Sequence, residues 1–361
     1  MKLSTFRHFT TAVLSLSIVC FSCTKGNDDN DNPDDENTKD VYIAGYEFNS
    51  SGKKVARYWK NTVAVTLTDG STDAIAYSIA AAGNGDVYVV GTENNGPSNG
   101  SKYVAKYWKN GTAVSLTDGA YTAEANAIVI AGNDVYIAGY ENKGVNNVVP
   151  RCWKNGTSIP LSGTESPTYR GWGYAIAISG NDVYVGGTEL TGGGIFKPKY
   201  WKNGTPTFLQ GDNSAKIFSM TISGGDVYAA GYEDKVINLQ TEYAMARYWK
   251  NGVAVSLTNG TSNSSIRSLA VSGSDVHAVG YGYSGTTNQI IKYWKNGTEQ
   301  PLLGIQNGSA ESIALSGSDV YIAGFETIGA KSTAKYWKNG GEGMFLQTTG
   351  HGGVAYEVFL K

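Results

Sequence analysis

From residue 40 onward the chain is a succession of short runs rich in β-branched and aromatic residues, punctuated by Gly-, Asn- and Asp-rich turns, with no long stretch of 3.6-residue apolar period. The plan is clearest between residues 134 and 181, where such runs fall at 135–140, 151–154, 158–161 and 175–179. Registered on the aspartate that opens the first of these, copies begin at Asp40, Asp86, Asp134, Asp182, Asp226, Asp275 and Asp319, in steps of 44 to 49 residues. Seven units of four short strands, at a period in the forties, predict an all-β fold, a seven-bladed β-propeller of four-stranded antiparallel blades.

The joints order the strands. The turn between an AIAIS-type run and a DVYIAGY-type run is SGND, GNGD, SGGD or SGSD, and the one after YWK is usually NG. Both read as tight hairpins, because Gly and Asn accept positive φ at low cost. The order in each blade is therefore a (AIAIS), b (DVYIAGYE), c (RYWK), d (AVSLT), with the tight a–b and c–d turns on one face of the disc and the long b–c and d–a loops on the other. The repeat region starts at a strand b and finishes with an unaccompanied strand a at 355–360. That strand is expected to complete the first blade beside 41–46, closing the ring without a free sheet edge. The other phase makes 41–46 the outermost strand of the last blade; the shorter, more polar AVSLT run suits the outer position better.

Repeated residues read as architecture. Gly45, Gly91, Gly139, Gly187, Gly231, Gly280 and Gly324 sit inside strand b, where a missing side chain lets a neighbouring backbone or ring come close. Trp59, Trp108, Trp153, Trp201, Trp249, Trp294 and Trp337 in strand c are expected to fill the space between blades. Two residues before each stands Arg or Lys, and six copies end strand b in Glu, as a cross-strand ion pair would require. The sixth copy has Gly282 there, so Lys292 should lack that partner. The aspartate at each a–b turn reads as an Asx cap rather than a metal ligand.

The start of the chain has a different character. Residues 1–22 carry Lys2 and Arg7, an apolar stretch from Ala12 to Phe21, and small Ser22 ahead of Cys23. The apolar stretch is too short to span a bilayer. Residues 23–39 follow, with the acidic run DDNDNPDDEN and no means of building a core. Residues 1–22 resemble a bacterial lipoprotein signal peptide; the resemblance implies cleavage before Cys23, lipid attachment to it, and a membrane as partner through that anchor. The acidic run resembles the segment that sends certain Gram-negative lipoproteins to the outer face of the outer membrane.

Charge separates tether from disc. The chain has 29 Lys+Arg and 31 Asp+Glu, and taking away the four cations and six acids of residues 1–39 leaves 25 against 25. A neutral disc has no electrostatic footprint for nucleic acid. Beyond Cys23 the one remaining cysteine is Cys152, standing where the other units carry Tyr, so the disc has no internal disulfide. No cofactor and no metal site is indicated.

At DVYIAGYE, ARYWKNG and AVSLTDG the units are similar to kelch-type propeller repeats, and more so to the extracellular HAF-type repeat. One copy of the latter runs through Ala175, Ile178, Gly180, Val183, Gly187, Trp201, Asn203, Gly204 and Leu209. The resemblance covers all seven units and implies a propeller without implying an activity. The kelch double glycine occurs only at Gly186-Gly187, so kelch partners are not carried over.

Candidate chemistry lies where the units disagree. Towards the long-loop end of strand a one side presents Tyr77, Asn126, Tyr174, Phe218, Arg267, Glu311 and Tyr356. Two residues earlier come Ile75, Glu124, Trp172, Lys216, Ser265, Ser309 and Val354. Aromatic faces mixed with a few charges around a funnel suit a glycan or protein ligand, with Tyr77, Glu124, Asn126, Trp172, Tyr174, Lys216, Phe218, Arg267, Glu311 and Tyr356 as its contacts. The plain alternative is that these loop-proximal positions are simply unconstrained. No Ser-His-Asp set is visible, since beyond the signal the histidines are His277, in place of a strand-b Tyr, and His351 in the last d–a loop. A pair drawn from Glu124, Glu311 and Glu357 would serve as acid and base in a glycan-active hydrolase or lyase. The near-uniform units favour a lipid-anchored binding module, with that enzyme and a structural scaffold as alternatives.

Overall fold

The structure, a computed structural model, describes residues 39–237, 240–284, 288–302 and 307–361. The signal and tether expected at 1–22 and 23–39, with Cys23, lie outside the described residues save for Lys39. Residues 39–361 form seven four-stranded antiparallel sheets. Blade 1 consists of Gly353–Leu360 (a), Val41–Phe48 (b), Lys54–Lys60 (c) and Val63–Thr66 (d), in that order across the sheet. Blades 2 to 7 follow in chain order, beginning with strands a at Ala74–Ala81, Thr122–Ala131, Gly171–Ser179, Ala215–Ser223, Ser264–Ser272 and Gly308–Ser316.

Closure is by the C-terminal strand, with Val41 opposite Leu360 and Gly45 opposite Ala355. Asp40 and Lys361 exchange both backbone hydrogen bonds at 3.0 Å. The alternative phase is thereby removed. Strands d run two to four residues and are largely exposed, as outer edges that must not template further pairing.

Between blades the tryptophans do the filling. All seven strand-c tryptophans are at most 2% exposed. Each packs into a cluster drawn from two blades, as Trp108 does with Tyr42 and Ala44 of blade 1 and Ile79 and Val89 of blade 2. Burial of roughly 150–250 Å² per ring makes these layers the main cohesive surface of the disc.

The charged repeats resolve into two devices. Glu47–Arg57, Glu93–Lys106, Glu141–Arg151, Glu189–Lys199, Glu233–Arg247 and Glu326–Lys335 all form ion pairs. They are diagonal rather than directly opposite, because Arg57 faces Gly45 and Glu47 faces Val55. Lys292 lacks a strand-b partner as expected, and reaches instead to Glu299 on strand d at 2.5 Å. The turn aspartates depart from expectation. Each clamps the neighbouring hairpin, and among the described residues Asp86 alone also bonds within its own turn, to Asn84. Asp40 accepts from Lys60 Nζ and Asn61 Nδ2, both at 2.7 Å, while Asn61 Oδ1 accepts from Val41 N at 2.8 Å. The same triangle recurs in every blade, as at Asp182, Lys202 and Asn203. Asn is required there because it sits at φ near +50° in each c–d turn, followed by Gly in six blades and by Thr62 in the first.

Removing residues 355–361 takes away strand a of blade 1 and leaves Val41–Phe48 with one bare edge. The truncated protein is expected to aggregate or to lose its cooperative melt. Calorimetry that returns the full-length melting temperature would contradict ring closure as the source of stability.

Candidate functional site

Strand a is innermost in every blade, and at one point in each it carries an extra residue. In blade 3 Ala125 faces Gly139 and Ala127 faces Ala138, so Asn126 is left over as a β-bulge. The register slips at the equivalent place in all seven blades. The seven bulged residues are Tyr77, Asn126, Tyr174, Phe218, Arg267, Glu311 and Tyr356, the ring along which the units disagree. Each bulge faces the strand-b glycine: a Cβ on Gly139 would lie 2.0 Å from the Glu124 carbonyl oxygen, and on Gly91 1.9 Å from that of Ile75.

These seven side chains converge on an axial cavity of about 140 Å³. They touch one another around its wall. Arg267 Nε donates to Glu311 Oε2 at 2.8 Å, and its guanidinium carbon lies 4.5 Å over the Phe218 ring. Phe218 is 5.8 Å from Tyr174, and Tyr77 is 5.4 Å from Tyr356, centroid to centroid. Asn126 Nδ2 donates to the Gly173 carbonyl at 2.8 Å, linking blade 3 to blade 4. Behind the ring stand strand-b tyrosines, with Tyr46 at 6.0 Å from Tyr356 and Tyr140 at 6.4 Å from Tyr174. The wall is preorganised: aromatic faces on two arcs, one ion pair and one amide.

Below the bulges lies a polar tier that the sequence analysis did not single out. Ser78 Oγ accepts from Ile128 N, Ser219 from Leu269 N, Ser268 from Ile313 N and Ser312 from Val358 N, at 3.1 to 3.3 Å, each bond crossing to the next blade. Ala127 and Ala175 hold the two equivalent positions that supply no acceptor. In blade 1 the place is taken by Glu357, whose Oε2 accepts from Ile79 N at 2.8 Å. Burial pushes the Glu357 carboxyl up to about 7, against the opposing pull of its bonds to Ser78 and Ile79 N.

Three of the ten predicted site residues are not in the cavity wall. Glu124 hydrogen-bonds Tyr140 behind the ring, and burial raises its carboxyl above the usual range. Trp172 lies 5.8 Å from Phe196, over whose ring Lys216 Nζ stands at 5.0 Å. Their counterparts Ile75, Ser265, Ser309 and Val354 are buried. The reason is the bulge, whose extra residue breaks the period of two, so stepping back two positions across it does not return to the same face. Phe196, in the Phe196–Lys202 strand c of blade 4, is a rim aromatic that sequence reading missed, because the b–c loops carry no repeat to compare. Among the described residues no cluster of three His, Cys, Asp or Glu side chains could hold a metal ion.

Fold and site together define a closed seven-bladed propeller with a small, chemically mixed axial cavity. Its architecture is similar to the β-propeller domain of the Trilobed protease from Pyrococcus furiosus, with TM-score 0.52, 10% identity, and 86% of this chain and 93% of that one covered. It is also similar to polysaccharide lyase Uly1, with TM-score 0.51, 11% identity and 86% and 88% covered. TolB from Acinetobacter baumannii gives TM-score 0.50, 11% identity and 88% and 83% covered. At such identities the likeness establishes the fold alone. No family model and no curated protein matches the sequence.

A carboxyl raised from 4.5 to about 7 favours the folded state fully below its unfolded pKa, and that advantage is lost as pH rises through 7. Glu357 thus makes stability fall between pH 5 and 7. Glu357→Gln keeps an acceptor for Ile79 N and is expected to remove about 2–3 kcal/mol of that fall. Urea melts of both proteins across the window measure it, and parallel pH curves would refute the assignment.

Proposed function

We propose that the chain is a lipid-anchored binding module of the outer membrane's outer face, holding a glycan or protein ligand at the mouth of the axial cavity. The observation that carries this reading is the bulge ring: seven equivalent positions that differ from blade to blade, aimed at one cavity, in an otherwise uniform repeat. The resemblance to kelch and HAF units and to lipoprotein signals gives the setting. The cavity volume of about 140 Å³ is below the several hundred that a whole small-molecule ligand fills, so one end group enters and the rest lies on the long-loop face. Stacking on Tyr77, Tyr356, Tyr174 or Phe218 and polar contact with Asn126 or the Arg267–Glu311 pair would orient it. Trp172, Phe196 and Lys216 then offer contacts farther out, and Glu124 acts by holding Tyr140.

A glycan-active hydrolase or lyase is the second reading, favoured by Glu357, which keeps a proton near neutral pH inside the cavity. It requires a second free carboxylate, and Glu311 is committed to Arg267. Catalysis by Glu357 would show as loss of turnover in Glu357→Gln with binding retained.

Glycan and peptide arrays probed with residues 40–361 test the main reading. For whatever the array captures, Tyr174→Ala should weaken binding by roughly 1–3 kcal/mol, as truncation of an aromatic anchor does. Trp153→Ala, by contrast, should cost roughly 3–5 kcal/mol of folding stability. Capture that survives Tyr174→Ala unchanged would move the ligand away from the axis.

The anchor has its own test. Cys23→Ser should shift the protein from the membrane to the soluble fraction, since durable attachment takes more than one acyl chain and Cys23 is the residue proposed to carry them. A serine variant that still sediments with outer membrane would remove the lipid from the account.

A further inference from the structure

One position of the inter-blade layers holds the same residue in every blade but one. The residue before the strand-c tryptophan is Tyr58, Tyr107, Tyr200, Tyr248, Tyr293 or Tyr336 in six blades and Cys152 in blade 3. This position faces the next blade. Tyr107 packs with the cluster around Trp153 of blade 3, Tyr200 with that around Trp249 of blade 5, and Cys152 with that around Trp201 of blade 4. The tyrosine rings lie beside a strand-b aromatic of their own blade, Tyr107 at 6.5 Å from Tyr88 and Tyr200 at 6.0 Å from Tyr184. Tyr107 also reaches the c–d turn of the next blade, where its Cε1 is 4.0 Å from the place a Cβ on Gly156 would take.

Between blades 3 and 4 the ring is missing and a cavity of about 350 Å³ stands instead. It is bounded by Tyr136 and Cys152 of blade 3 and by Val183, Val185 and Gly204 of blade 4. These are the surfaces that the other layers give to a tyrosine: Tyr136 corresponds to Tyr88, and Gly204 to Gly156. Ile159, opposite Cys152, stands where blades 1, 2 and 5 have valine and adds only one methylene to it. The polar groups at the margin are already engaged. Lys154 pairs with Asp134 at 2.7 Å, and Asn203 bonds Asp182 and Val183 N. Burial pushes the Cys152 thiol up to about 12, so it stays neutral and offers no covalent chemistry.

We infer that the cavity between blades 3 and 4 is a second binding site, independent of the axial one, for an uncharged aromatic ring the size of a tyrosine side chain. An apolar cavity of about 150 Å³ suffices to hold benzene, so the space here admits a phenol with room at its hydroxyl end. The layer between blades 2 and 3 supplies the pose, with the ring along Tyr136 and its edge towards Gly204, beside the Pro160 carbonyl.

The probe is p-cresol, the tyrosine side chain as a free molecule, followed by titration calorimetry and by the rise it causes in melting temperature. The wild-type protein should bind it saturably. Cys152→Tyr should melt higher on its own and show neither heat nor shift with p-cresol, while Cys152→Ala and Tyr174→Ala should bind as the wild type does. Cys152→Leu fills part of the same space and should weaken binding about tenfold, which keeps the test alive if the tyrosine variant does not fold. No saturable binding by the wild type overturns the inference. So does equal binding by Cys152→Tyr or Cys152→Leu, and loss on Tyr174→Ala would assign the ring to the axial cavity.

Discussion

One close approach organises each blade. The carbonyl oxygen of a strand-a residue lies 1.9 to 2.1 Å from where the strand-b glycine would carry a Cβ, in all seven blades. The obstructing atom is backbone, which cannot swing aside, so no other residue fits without moving strand a. This contact accommodates the bulge, and the bulge turns one extra side chain of each blade towards the axis. The glycine is therefore the same in every unit while the residue it helps to aim is free to be Tyr, Asn, Phe, Arg or Glu. Scaffold and cavity wall are separated at the level of single residues.

The remaining cohesion is of two kinds. The tryptophan layers remove large apolar surfaces from water and are the source of net stability. The ion pairs serve register more than energy. The Asp–Lys pairs of the tight-turn face are well exposed, where such contacts contribute little. The Glu–Arg/Lys pairs beside the bulges are more buried, Glu47 being 1% exposed, and their desolvation offsets much of the attraction. Breaking one would still be costly, because the partner would remain in a dry site. Both devices tie one hairpin to the next at fixed positions, which suits a ring that must close after seven steps.

What was legible in the sequence follows the same division. Period, strand order, closure and the buried tryptophans could be read because each is repeated, and repetition averages out local ambiguity. The seven cavity-lining positions were legible as disagreement within that repetition. The bulge was not, since a one-residue slip leaves no compositional mark, and Glu124, Trp172 and Lys216 were misplaced as a direct consequence. The serine tier and the aspartate clamps escaped for another reason: their bonds cross from blade to blade or hairpin to hairpin, distances a linear reading does not measure. Cys152 stood out as an exception in the repeat, yet its meaning depended on knowing that this position faces the following blade.

The axial cavity has sevenfold pseudo-symmetry in its backbone and none in its side chains. A symmetric ring of one residue type would present a target no better than a coaxial ion or water. Here the wall has one aromatic arc at Tyr356 and Tyr77, another at Tyr174 and Phe218 that continues into Arg267 and Glu311, and Asn126 between the two. A group entering along the axis meets different chemistry at each rotation, so one orientation is preferred over the other six. That preference is what a recognition site needs and what a purely structural plug would not. It arises at almost no cost to the fold, because the bulged residue is the one position in strand a left without a partner in the ladder.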